Sequence, residues 1–174
     1  RRSGMMIAGD AIPDRMTIAL KGRRTVYKSE LMMLEMLATC NWERPLYVAC
    51  TVGESNYGSL GANFVQEGLA NRITPFDTRK SGKTIDSERM YDNLMNRFKF
   101  GNLSDSTIYL DETVQRMCWT HRRLFAQLGT QLVREGKTDK AKMLLDKCDK
   151  EIPAATVRYS YQSGSLDLAR IYAI

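Results

Sequence analysis

The residues with the clearest capacity for catalysis are Gly53-Glu54-Ser55-Asn56-Tyr57, which follow a predicted strand. This segment is similar to the nucleophile elbow of hydrolases, in which a serine lies between two glycines on a sharp turn. Tyr57 replaces the second glycine here, and a catalytic triad would need the only histidine of the chain, His121. That histidine keeps helical phase with apolar residues, which favours a core or groove position. A hydrolase acting through Ser55 is therefore the weakest functional hypothesis.

A phosphate-binding loop is the second chemical possibility. Gly82-Lys83-Thr84 matches the last three positions of that motif, but the required first glycine would fall at Asp77. Without that glycine, the backbone is not expected to form a cradle of N–H groups around an anion. The sequence therefore favours a flexible basic loop at 77–83.

Metal and redox chemistry has little support in the sequence. The four cysteines (Cys40, Cys50, Cys118 and Cys148) show no zinc-like or redox spacing. Cys118 and Cys148 fall on predicted apolar helix faces and Cys50 in a predicted strand, so buried free thiols are expected. The closest carboxylates stand at predicted helix starts, where they stabilise unpaired backbone N–H groups (Asp86 with Glu88, Asp111 with Glu112). We predict no catalytic residue, no metal site and no cofactor, so this chain is not expected to be an enzyme.

Four residues on a long predicted helix could contact a partner instead. They could line one edge of the helix and favour an acidic partner (Arg116, His121, Arg122 and Arg123). The alternative is that all four are ordinary solvated helix residues.

The charge of the chain is concentrated at one end. The net charge is +6 over 174 residues, and residues 1–28 hold seven basic and two acidic residues, or +5. Such an end could lie against an anionic membrane surface, or it could simply be solvated. Tyr27 is the only aromatic residue there for base stacking, so no nucleic-acid partner is predicted. No stretch reaches the roughly 18–20 apolar residues that span a bilayer.

The elements that hold these residues fall into two sections. The pattern predicts a small α/β section over 1–84, with a small mixed sheet. Its expected elements are two extended stretches around Lys21-Gly22, a helix from Ser29 to Thr39 buried on several sides, an interior strand over 46–52, a short helical piece over 62–67 and a strand over 69–74. The second section, 85–174, is predicted to be helical. The fold class is therefore α+β and mostly α.

Residues 122–155 resemble a tetratricopeptide repeat (TPR). The diagnostic positions hold residues of the required size on two successive helices (Phe125, Leu128-Gly129, Leu132, Ala141, Leu145 and Pro153). Gly136 is predicted to end the first helix and Thr138-Asp139 to cap the second. Gly129 and Ala141 are small where the two antiparallel helices are expected to approach closely. A second repeat begins at Leu168-Ala169 and breaks off, so the chain is expected to be a piece of a longer protein.

Several longer stretches resemble a family of multi-spanning membrane proteins from Bacteroidetes. The stretches are YKSELMMLEMLATCNWERPLYVACTV (27–52), FVQEGLANRITPF (64–76), IDSERMYDNLMNRFKFGN (85–102), 108–153 and GSLDLARIYAI (164–174). The family is similar to GT-C-type glycosyltransferases related to protein O-mannosyltransferases, which use a lipid-linked sugar donor. The resemblance implies that this chain is the C-terminal extramembrane region on the periplasmic side, with the catalytic acids in the membrane half. Four unpatterned cysteines depart from what an oxidising compartment favours.

The sequence thus predicts a non-catalytic extramembrane domain of a membrane glycosyltransferase-like protein. It would pack on the membrane portion of the same protein or engage an acceptor polypeptide. The alternative is a freestanding TPR-type adaptor that binds a peptide.

Overall fold

The computed structural model describes residues 15–19 and 25–173, and the chain divides into two compact units. The first unit ends at Asp86 and the second begins at Ser87. Residues 15–19 and 25–27 have no regular secondary structure. The turn predicted at Lys21-Gly22 lies outside the described residues, as does most of the basic segment 1–28.

The first unit contains a three-stranded antiparallel sheet. Its strands are β1 (Tyr47–Ala49), β2 (Phe64–Gln66) and β3 (Ala70–Ile73), with β3 in the centre. The predicted fold class is confirmed, although parallel pairing is limited to an isolated bridge between Gln66 and Ile85. The interior strand predicted over 46–52 is wrong. β1 is an edge strand with its first and last residues exposed, because the core covers only one of its faces.

Helix α1 (Lys28–Thr39) covers one side of this unit. It begins one residue before the predicted cap Ser29, since the Tyr27 N–H donates to Glu30 Oε2 at 2.9 Å. The prediction that α1 is buried on several sides is wrong, because only Glu30 and Leu37 are buried within it. Leu37 packs in a core with three other buried side chains (Leu60, Phe64 and Ile73).

Short helical turns complete the first unit. The short helical piece predicted over 62–67 is wrong. Residues 62 and 63 end a 3₁₀ turn (Gly58–Asn63), and β2 begins directly after it at Phe64. The predicted flexible loop at 77–83 contains a short helix, α2 (Thr78–Ser81). Asp77 caps it by accepting hydrogen bonds from the N–H groups of Arg79 and Lys80, at 3.1 and 3.3 Å.

A buried arginine on the central strand of the first unit forms ion pairs with two acidic residues. Arg72 on β3 is fully buried, with Nε 2.7 Å from Glu67 Oε1 and Nη2 3.5 Å from Asp86 Oδ2. The Tyr47 hydroxyl on β1 donates to Glu67 Oε2 at 3.0 Å. Because both partners of the shorter ion pair are almost inaccessible to solvent, each side chain depends on the other.

The second unit is helical. It contains α3 (Ser87–Asp92), which widens into a π-helical turn over Asn93–Arg97, followed by α4 (Glu112–Arg134), α5 (Thr138–Glu151) and α6 (Ser165–Tyr172). The predicted cap Asp111 is confirmed, since its Oδ1 accepts the Val114 N–H at 2.8 Å. Gly136 adopts φ 73° between α4 and α5, as predicted for the end of the first helix. The predicted cap of α5 is wrong, because Lys137 holds the cap position and Thr138 is already helical.

The core of the second unit is formed by α4, α5 and α6. Large side chains on all three helices are buried (Phe125, Leu128, Leu132, Leu144, Leu145 and Leu168). A Cβ placed on Gly129 would lie 2.8 Å from Ile171 Cδ1 of α6. The absence of a side chain at Gly129 therefore allows α6 to pack closely against α4. This corrects the expectation that Gly129 lies where α4 approaches α5. Among the described residues, no helix is both long and apolar enough to cross a membrane.

A surface ion cluster in the second unit leads to a prediction about pH. Lys137 Nζ and Lys140 Nζ each donate to Glu88 at 2.8 Å, which holds the pKa of Glu88 at about 2, below its usual 4.5. Since the pKa is lower in the folded state, the stabilisation is present above about pH 4.5 and is lost as pH falls towards 2. Glu88 is 59% exposed, so we expect at most about 1 kcal/mol from the cluster.

Urea denaturation of the native chain and of Glu88→Gln tests this expectation. The midpoints should differ slightly at neutral pH, and the difference should shrink below about pH 4.5 and vanish as the pH approaches 2. A gap that widens on acidification would contradict the assigned pKa direction.

Candidate functional site

The second unit carries a groove of about 330 Å³ between α5, α6 and the end of α4. Its floor is apolar and is formed by Ala141, Leu145 and Ile171. Polar groups surround this floor (Thr138, Asp139, Lys142, Asp146 and Tyr172). An apolar floor with a few polar groups at the rim is the usual composition of a binding site.

The rim of the groove offers hydrogen bonds and charge rather than a nucleophile. Tyr172 donates its hydroxyl proton to Asp149 Oδ2 at 2.7 Å. Partial burial, and then this hydrogen bond, raise the pKa of Tyr172 well above its ordinary value, so the phenol stays protonated. Asp139, Lys142 and Asp146 give the rim a net charge of −1 from two acids and one base. The groove therefore combines an apolar floor with a polar and weakly acidic rim.

The predicted partner-contact residues lie elsewhere on α4. Arg116 is exposed and pairs with Glu112 one turn earlier, and Arg123 is also exposed. His121 is half-buried, with Nδ1 3.2 Å from the Met117 carbonyl oxygen and its ring at an edge-on angle to Phe100. None of these three residues lines the groove.

Arg122 corrects the prediction of an exposed basic edge. Its side chain is fully buried, and its guanidinium donates to the carbonyl oxygens of Ile152 and Val157 at 2.7 Å and of Arg158 at 3.1 Å. The Tyr159 ring lies 4.4 Å from the guanidinium carbon. Arg122 therefore holds the segment that follows α5 and cannot meet an acidic partner. Its helical phase with Cys118 and Phe125 was the signal available in the sequence.

The two segments that are similar to catalytic motifs have other structural roles. Ser55 lies in an exposed 3₁₀ turn (Glu54–Asn56), whereas a nucleophile elbow requires a strand–turn–helix context. Gly82 ends α2 with φ 70°, and its N–H donates to the Thr78 and Arg79 carbonyl oxygens. The Lys83 N–H also donates to Thr78, at 3.1 Å. These N–H groups are engaged in ending a helix and are not available to cradle a phosphate.

Two of the four cysteines, Cys118 and Cys148, have the environments of unreactive thiols. All four are free, Cys118 and Cys148 are buried, and Cys40 and Cys50 are half-buried. Burial raises the pKa of both buried thiols, and that of Cys148 reaches about 12. A thiol that stays protonated is a poor nucleophile and a poor metal ligand. Within residues 15–19 and 25–173, no cluster of three or more His, Cys, Asp and Glu side chains could hold a metal ion.

A direct test of hydrolase chemistry follows from the position of Ser55. We expect a fluorophosphonate probe to leave Ser55 unlabelled, because Ser55 lies in an exposed 3₁₀ turn rather than on the strand–turn–helix elbow that presents a nucleophilic serine. Mass spectrometry of tryptic peptides reads the result, with a known serine hydrolase as positive control. Stoichiometric labelling that disappears in Ser55→Ala would restore the hydrolase hypothesis.

One family model matches the chain. Residues 1–93, just over half of the 174 residues, match TMEM260-associated domain 2. The match spans the first unit and α3 and ends before α4. No curated protein and no solved structure shows significant similarity to the chain.

Proposed function

Since the chain belongs to the family of TMEM260-associated domain 2, we propose that it is a non-catalytic extramembrane domain of a TMEM260-like membrane protein. In this proposal the domain functions by binding a partner and does not catalyse a reaction. Two observations support this proposal. The segments closest to catalytic motifs are engaged in ending a helix or forming an exposed turn, and the second unit carries an apolar groove.

The parent protein in this proposal is a GT-C-type glycosyltransferase of a Bacteroidetes bacterium, related to protein O-mannosyltransferases. The chain then lies on the periplasmic side of the inner membrane, C-terminal to the spanning helices. The support is the resemblance carried by segments such as 27–52 and 85–102, together with the family match over 1–93. The acids that transfer the sugar belong to the membrane portion in this scheme.

The partner of the α5–α6 groove is a polypeptide, either the membrane portion of the same protein or an acceptor chain. The second unit is proposed to be TPR-type, since Leu128, Ala141 and Leu145 are all buried at the positions that the repeat requires. Repeats of this type stack into surfaces that bind peptides. The observation that carries the proposal is the apolar floor of Ala141, Leu145 and Ile171.

A peptide array with matched variants tests the proposal. The array carries overlapping peptides from the loops of the membrane portion and from secreted proteins of the same cell. Lys142→Trp should fill the groove and weaken binding by about tenfold or more, since it blocks the pocket in which an anchor side chain is buried. Lys150→Trp makes the same change at another exposed position of α5, outside the groove, and should bind like the native chain.

The outcomes separate the partners. Binding of membrane-portion peptides that Lys142→Trp abolishes supports packing within the parent protein, and binding of secreted sequences supports an acceptor role. Equal binding by Lys142→Trp and Lys150→Trp would show that the groove is not the peptide-binding site. A parent gene without apolar spans upstream of Arg1 would replace the membrane assignment with the freestanding adaptor.

A further inference from the structure

The rim of the α5–α6 groove holds more acid than base. Asp139, Lys142 and Asp146 follow one another at intervals of about one turn on α5, and all three are exposed. Among the described residues, neither aspartate carboxylate has an ion-pair or hydrogen-bond partner, and Lys142 pairs with neither of them. Both carboxylates are therefore available to a ligand in the groove.

Tyr172 determines the hydrogen-bonding character of the groove at the end where Asp146 lies. Its hydroxyl proton is already engaged, since it is donated to Asp149 Oδ2 at 2.7 Å. Partial burial, this hydrogen bond and the negative charges of Asp149 and Asp146 raise the pKa of Tyr172, so the phenol keeps its proton. The Tyr172 oxygen can then only accept further hydrogen bonds, and the same is true of the Asp146 carboxylate. A ligand group at this end must supply donors, and a positive charge would strengthen the hydrogen bonds.

The apolar floor fits the remainder of a basic side chain. Lysine and arginine bury their methylene stems along apolar surface while the charged group stays at the edge. Leu145 and Ile171 are buried beneath the groove, and Asp146 directly follows Leu145 on α5. A stem that lies on these two residues would place its cation at the Asp146 carboxylate.

We propose that the α5–α6 groove recognises a basic polypeptide segment, in which a lysine or arginine binds at Asp146 and Tyr172 beside an apolar anchor side chain. This inference rests on the proposed polypeptide-binding function and adds the chemistry of the partner. The preferred charge is opposite to that of the acidic partner predicted for α4. An acidic segment would bring like charges to Asp139 and Asp146, which opposes binding.

Matched peptides and the full chain test this inference. The probes are short fluorescent peptides with a central leucine, each made in three versions that carry lysine, glutamine or glutamate at one neighbouring position. We expect the lysine version to bind about two- to fivefold more tightly than the glutamine version, the range typical of one exposed ion pair. The glutamate version should bind most weakly. Fluorescence anisotropy gives the three affinities, and Asp146→Asn should bring the lysine-to-glutamine ratio close to one.

A second acid of the same unit provides the matched control. Asp167→Asn removes the same charge from an exposed position of α6 outside the groove, so it should keep the ratio of the native chain. Lys142→Gln removes the base between the two aspartates and should raise the ratio. Far-UV circular dichroism confirms that each variant is folded.

The outcomes distinguish this inference from the proposed function. Equal binding of the lysine and glutamine versions, with binding still lost in Lys142→Trp, would overturn the charge preference and keep the groove as a polypeptide site. A lysine preference that Asp146→Asn leaves intact would also overturn it. Absence of binding by every version, or binding that Lys142→Trp does not change, would reject the groove as a polypeptide site and this inference with it.

Discussion

Arg122→Met is expected to lower the free energy of unfolding of the second unit by about 3–5 kcal/mol, since three carbonyl oxygens would lose a donor and each buried unsatisfied acceptor costs roughly 1–3 kcal/mol. The substitution keeps the apolar stem but removes the donors to Ile152, Val157 and Arg158. Carbonyl oxygens left without donors in a buried site cost more than the hydrogen bonds themselves contribute. The Ile152 carbonyl also stands at the C-terminal end of α5, where a cation offsets the helix dipole.

Tryptophan fluorescence can follow this change within one unit. The chain has two tryptophans, and Trp119 donates its ring N–H to the Arg158 carbonyl oxygen at 3.1 Å, next to the Arg122 contacts. In a Trp42→Phe background, urea denaturation followed by Trp119 emission reports on the second unit. Arg123→Met is the matched control, and it should change stability by less than about 0.5 kcal/mol because Arg123 is exposed. Equal effects of the two substitutions would show that Arg122 is not buried as described.

Arg72→Met is expected to destabilise the first unit by a similar amount, about 3–5 kcal/mol. Glu67 is only 6% exposed, so its carboxylate would remain buried without the ion pair to Arg72 Nε. The double variant Arg72→Met, Glu67→Gln should recover part of the loss, because it also removes the buried charge.

Trp42 reports on this second substitution, since it packs against the core of the first unit. The measurement is urea denaturation in a Trp119→Phe background. Arg79→Met serves as the control, because Arg79 is 62% exposed and lies 3.9 Å from Glu54. If the double variant were less stable than Arg72→Met alone, the buried carboxylate would not be the source of the loss.

Local chemistry allowed much of the helical unit to be predicted. The Asp111 cap and the left-handed Gly136 depend on a few neighbouring residues, and a further helix containing Leu168 was also correctly predicted. Helix ends are set by such short-range hydrogen bonds, and so the sequence contains the information needed to place them.

The wrong predictions concern which part of the protein, if any, packs against each face of a helix or strand. Apolar residues around most of α1 predicted burial, but periodicity does not show whether another layer of protein covers a face. The β-prone run 46–52 could not reveal that β1 lies at the edge of the sheet. Gly129 was correctly singled out as small, yet its neighbour Ile171 is 42 residues away in sequence. Arg122 was assigned to the surface because arginine is rarely fully buried.

The α5–α6 groove was not predicted from the sequence, although some of the residues that line it were singled out for another reason. Ala141, Leu145 and Tyr172 were identified as repeat positions by size and spacing, whereas Lys142 and Asp146 have no pattern that marks them. Their association depends on the packing of α6 against the other helices, which involves contacts distant in sequence.

Site-specific photocrosslinking tests the central claim, that this chain acts by binding a polypeptide in the α5–α6 groove. Benzoylphenylalanine is placed at Lys142 or at Lys150 in cells that produce the full-length protein. We predict a crosslinked polypeptide, identified by mass spectrometry, from position 142 and none from position 150. No crosslink at position 142, or the same products from both positions, would contradict the proposed function.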